Sequence, residues 1–196
     1  MMSATVRATL LACTFAMSGM ASAAERIIPP AVPLEIELSS VYKPFLSGHA
    51  VGTQNYICAP AAVASGAEWL FLGPQATVFD AYGEQVLTHF LSKNPWMADA
   101  LHATWQHSRD SSGVWGRKLR GSTDSAYVAS DAIEWLLLEV MGTKTGPTAG
   151  NKMTTALYIH RVNTVGGLKP PATECTTATI NSRRLVPYEA DYYFYK

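Results

Sequence analysis

Five histidines are the first candidates for chemistry: His49, His89, His102, His107 and His160. No two of them have the H-x-H or H-E-x-x-H spacing that puts two imidazoles on one metal by local geometry, so no metal site is expected. His89 and His107 fall in neighbouring candidate hairpins. Either could move a proton if a carboxylate came within hydrogen-bond reach. His107 is followed by Ser108, Asp110, Ser111 and Ser112. These are the residue types of a nucleophilic triad, but triad members usually come from distant segments. Ser and Asp here also suit a bend. The G-x-S-x-G elbow that exposes a nucleophilic serine is absent. Glu134 and Glu139 flank an apolar block. They could join another carboxylate in acid–base work, and they read more simply as solvent-facing edges.

The aromatic residues suggest binding instead. The chain has five tryptophans and nine tyrosines. Trp105 and Trp115 flank the polar bend 108–113, where exposed rings could stack on a sugar or a flat ligand. Trp69 and Trp135 read as core. Arg161 lies mid-strand in an apolar context and needs a partner, with Asp110 or Asp131 as candidates. The ligand-binding set expected is therefore His89, Trp105, His107, Asp110, Trp115 and Arg161. No catalytic residue, metal or cofactor is assigned.

These side chains must be carried by strands. Leu34, Ile36 and Leu38 alternate with Glu35 and Glu37, the period of a half-buried strand. Residues 51–58 form a second extended stretch. Residues 68–72 and 75–79 are apolar runs split by Gly73-Pro74, a turn pair. The sequence 80–83 reads as a turn into 85–91, so 75–91 suggests a hairpin. Asn94-Pro95 reads as the start of a short helix over 95–102. Residues 103–107 and 114–119 flank the 108–113 bend as a further hairpin. The block 133–140 reads as a core strand and 143–152 as a loop. In 154–164, Tyr158, His160 and Val162 share one face, and Ile159 and Arg161 the other. The C-terminal run puts Val186, Tyr188, Ala190, Tyr192 and Phe194 on one face of a final strand. Short strands punctuated by Gly and Pro predict a mainly β fold, an antiparallel sandwich or barrel with at most one or two short helices.

Composition narrows the function classes. Hydrophobic residues make up 48% and charged residues 15% of 196, which is enough for one packed domain and too apolar for disorder. Residues 1–23 read as a cleavable signal peptide: Arg7 as the positive region, Ala8 to Met17 as the apolar core, and Ala21-Ser22-Ala23 as the cleavage site. The mature chain, 24–196, then begins with an extended lead-in over 24–33. It carries 14 Lys+Arg against 15 Asp+Glu, with no basic stripe for nucleic acid. No transmembrane segment is expected. Cys13 leaves with the leader, and Cys58 and Cys175 are expected to pair in an oxidising compartment, periplasmic or extracellular. The loop closed spans about 118 residues, for which chain entropy alone suggests roughly 5 kcal/mol.

Several motifs together resemble one family. They are Gly52-Thr53-Gln54-Asn55-Tyr56-Ile57-Cys58, the run Ala103-Thr104-Trp105-Gln106-His107-Ser108-Arg109-Asp110-Ser111, and Val114-Trp115-Gly116. Trp135-Leu136-Leu137-Leu138, Arg161-Val162-Asn163-Thr164-Val165-Gly166-Gly167, Cys175 and Val186-Pro187-Tyr188-Glu189-Ala190-Asp191-Tyr192 extend the set. From about Gly52 to its end the chain resembles the exported bacterial and fungal family Domain of Unknown Function 3455. The resemblance implies an exported domain and no established activity. Glu134, His160 and Glu174 stand where the family pattern has Pro, Gln and Gly. Some fungal relatives carry a malate dehydrogenase label, which this chain does not support: it lacks the G-x-G-x-x-G turn of dinucleotide binding.

The expectation is a non-enzymatic module that binds a small molecule or carbohydrate, or associates with the envelope. The alternative is an extracytoplasmic hydrolase or isomerase using His89 or His107 with a carboxylate.

Overall fold

The structure is a computed structural model that describes residues 26–97 and 100–196. The expected signal peptide lies outside the described residues. Eight antiparallel strands follow one another around a closed barrel: β1 (Pro44–Pro60), β2 (Ala67–Phe79), β3 (Gln85–Lys93), β4 (Leu101–His107), β5 (Gly113–Ser122), β6 (Trp135–Lys144), β7 (Tyr158–Gly166) and β8 (Arg183–Tyr195). Each strand pairs with its neighbour in sequence, and β8 returns to pair with β1 from Pro44↔Tyr195 to Ile57↔Arg183. Closure leaves no open sheet edge. A barrel of eight strands has an interior that side chains fill or that holds one small ligand. No helix among the described residues is long and apolar enough to cross a membrane.

Strand alternation sorts the side chains into inside and outside. Ala50, Val78, Leu87, Trp105, Val114, Leu138, Ile159, Ala190, Tyr192 and Phe194 fill the interior. A second apolar layer lies outside the wall, where Trp135, Leu137 and Val162 are covered by Ile36, Val128 and Ala132. His160 fastens that cover. Its Nε2–H donates to the Ile36 carbonyl at 2.8 Å, and its Nδ1 accepts from the Tyr195 hydroxyl at 3.0 Å. A third cluster surrounds the disulfide between Cys58 and Cys175, whose Cα atoms are 5.4 Å apart, and includes Tyr56, Ala67 and Trp69.

Four local expectations are corrected. Leu34–Ile36 is a 3-10 turn, not a strand, and it sends only Ile36 into the outer core. Gly73-Pro74 does not end a strand: β2 runs through it. Gly73 takes φ 128°, a conformation few other residues adopt, where the β1–β2 register shifts at Asn55/Tyr56. Residues 95–97 form a turn in place of the expected helix, because Asn94 caps the Trp96 amide through its side chain and then β4 begins at Leu101. The strand expected from 154 begins at Tyr158, with Asn151 and Met153 accepting turn bonds from Thr154 and Ala156.

A candidate ligand cavity inside the barrel

The β3–β4 register sets His89 directly opposite Trp105, both inward. Their rings stack with centroids 4.1 Å apart and planes 9° from parallel. Tyr192 from β8 meets both rings edge-on at 5.2 Å. Gly116 on β5 makes room for this arrangement, since a Cβ there would lie 3.1 Å from the Trp105 ring and 3.5 Å from Ile159 and Leu138. Above these rings lies a cavity of about 500 Å³, walled by Leu91, Ala103, Leu136, Leu138 and Pro74, with Phe71 and Leu101 among its outer residues. That volume is within the usual range of small-molecule sites. A neighbouring lobe of about 370 Å³ shares Gln54, Phe71, Leu136 and Arg161 with it.

Several of the polar groups lining this cavity, Gln54, His89, His102 and Tyr192, are buried. Burial pushes the His89 imidazole down to about 3, against the pull of its hydrogen bond to Thr104, and the Arg161 charge adds to the depression. His89 is therefore neutral. Its Nδ1–H donates to the Thr104 carbonyl at 2.9 Å, which leaves Nε2 a bare acceptor. Burial also raises Tyr192 and Tyr188 above the ordinary phenol value, while Arg161 acts in the opposite sense on both. The two hydroxyls lie close enough to influence each other, yet neither makes a hydrogen bond of normal geometry. Trp105 Nε1 and Arg161 Nε are likewise buried without a partner. Orphaned polar atoms are uncommon in native interiors, and here four belong to residues at one cavity or beside it.

Of the six residues singled out from the sequence, the structure brings together His89, Trp105 and Arg161. It separates the other three. Trp115 lies on the outer face of the wall, where its Nε1–H donates to Ser92 Oγ at 2.9 Å beside a surface cleft with Phe90, Thr104 and Lys144. Trp105 and Trp115 therefore cannot line one pocket, although they flank one bend. His107 and Asp110 sit in the bend itself. His107 Nδ1–H donates to Asp110 Oδ1 at 2.9 Å, Ser112 Oγ–H to the same oxygen at 2.6 Å, and the Lys152 amide to Oδ2 at 2.9 Å. Burial works against the Asp110 charge. The Ser112 and Lys152 bonds, with His107, outweigh it and hold the carboxyl well below the usual range. Ser112 Oγ also accepts from the Met153 amide, so this cluster staples two loops, 108–113 and 145–153. Arg161 finds neither Asp110 nor Asp131; its Nη2 donates to the Glu134 carbonyl at 2.9 Å.

The sequence reading missed Gln54, Gly116, Tyr188 and Tyr192. A signal existed for the tyrosines: two hydroxyls recur on the otherwise apolar face of the last strand. No group of three His, Cys, Asp or Glu side chains among the described residues could hold a metal.

Fold and cavity together define a closed eight-stranded barrel with a partly open, partly polar cavity between its strands. The chain belongs to the family described as Protein of unknown function (DUF3455), which matches residues 39–196. No curated protein and no solved structure gives a match.

Proposed function

We propose that this is an exported, non-enzymatic binding protein that takes one small, largely apolar molecule into its barrel. The observation that carries the reading is the 500 Å³ chamber whose lining combines a stacked His89–Trp105 pair with buried polar atoms that the protein leaves unpartnered. Export is supported by the leader-like residues 1–23 and by the buried disulfide, which an oxidising compartment favours. An open carbohydrate platform made by two tryptophans draws no support from rings on opposite faces of the wall. An acid–base enzyme draws less support than a binder: no carboxylate lines the His89 cavity, and Asp110 is already saturated by donors.

A thermal-shift screen of small aromatic and alicyclic molecules tests the proposal, because a ligand at a hundredfold excess over its Kd adds about 2.7 kcal/mol. A raised midpoint for some compounds, absent when Trp105 is replaced by alanine, is expected. No shift with any of them defeats it.

A further inference from the structure

We propose that the natural ligand is a monocarboxylate with a ring-sized apolar body, and that Arg161 holds its carboxylate. The inference rests on the cavity reading above and adds the chemical class. Three cations line the chamber: Arg117, Lys118 and Arg161. Two are already neutralised, Arg117 by Glu139 and Lys118 by both oxygens of Glu134 at 2.7 Å. Arg161 alone of these has no carboxylate partner among the described residues; it donates to the Glu134 backbone carbonyl and lies beside the Tyr192 hydroxyl. A guanidinium set in an apolar wall without a counter-charge is costly. One unmatched positive charge calls for one negative charge, and its planar fork suits a carboxylate.

The hydrogen-bond inventory points the same way. Trp105 Nε1–H and Arg161 Nε–H are donors without acceptors, and the Tyr188 and Tyr192 hydroxyls have protons to give. These donors outnumber the one bare ring acceptor, His89 Nε2, and a carboxylate brings two oxygens with no proton of its own. The remaining wall is largely apolar, and its aromatic residues Phe71, Trp105 and Tyr192 favour a ring.

Calorimetric titration of the purified protein with 2-naphthoate and with 2-naphthylmethanol, matched in size and differing in charge, tests this at neutral pH. The acid is expected to bind about tenfold or more tightly than the alcohol. Arg161→Gln is expected to equalise the two and leave the alcohol unchanged. Equal affinities in the wild type, or a preference that survives in Arg161→Gln, overturn the carboxylate assignment while the cavity reading stands. Binding of neither probe overturns both. The wild-type comparison needs no variant, so a misfolded Arg161→Gln does not shelter the proposal.

Discussion

The imidazole of His89 lies flat against the indole of Trp105, centroids 4.1 Å apart, because the two residues face each other across the β3–β4 ladder. Cross-strand neighbours on one face are the pairs a sheet brings into contact. The stack places a neutral imidazole, a large apolar surface and an unpartnered indole N–H in one chamber.

The buried His89 makes stability depend on pH on the acid side. Its folded pKa lies near 3, held down chiefly by burial, against about 6.5 for the unfolded chain. Between those values the unfolded chain binds the extra proton, so stability is complete above about pH 6.5 and declines as pH falls toward 3. His160, also depressed by burial, contributes in the same direction. His89→Gln is expected to reduce the slope of stability between about pH 6 and 4.5 by up to about 1.4 kcal/mol per pH unit, leaving the His160 share. Urea midpoints measured across that range check it, and an unchanged slope would contradict the assignment.

Asp110 acts lower on the scale and with its own sign. Its carboxyl is depressed in the fold, so its contribution is present above about pH 4, the unfolded value, and is lost as pH falls further toward the folded one. Asp110→Asn is expected to cost about 1–3 kcal/mol at neutral pH, since amides and hydroxyls aimed at a carboxylate lose their acceptor. The variant should also lose part of the wild-type decline below pH 4. Thermal melts at pH 7 and pH 3 read both effects, and equal losses at the two values would argue against the staple.

The disulfide joins the start of the barrel to the segment before its last strand, in a cluster with Trp69 and Tyr56. Replacing Cys58 and Cys175 together by serine is expected to lower stability by about 2–5 kcal/mol. Reductant should lower the melting temperature of the wild type and not of the double variant. Material whose two thiols alkylate without reductant would refute the cross-link.

Gly116→Val fills space that the Trp105 ring borders, its first added carbon lying 3.1 Å from that ring. A stability cost of about 1–3 kcal/mol is expected from overpacking, together with at least about tenfold weaker binding of 2-naphthoate if the chamber is the site. Calorimetry on the folded variant decides, and unchanged affinity would place the ligand elsewhere.

The alternation in 186–194 marks one face of the last strand, and Tyr188, Tyr192 and Phe194 on that face do point into the interior. The 75–91 and 103–119 hairpins were legible for the same reason, since period two and turn chemistry are local properties of the chain. The disulfide partners followed from counting cysteines. Local signals failed where distant segments compete for the backbone: Leu34–Ile36 alternates like a strand, yet its carbonyls serve a 3-10 turn and His160. Residues near in sequence were also a poor guide to the site. Trp105 and Trp115 stand ten positions apart on opposite sides of one wall, whereas Arg161 and Trp105, from β7 and β4, line one cavity. Sequence alone determined that this chain builds antiparallel strands with one apolar face. Which faces meet, and which polar atoms are left without partners, was decided by closure of β8 onto β1, because only a closed sheet turns every alternate side chain toward a common interior.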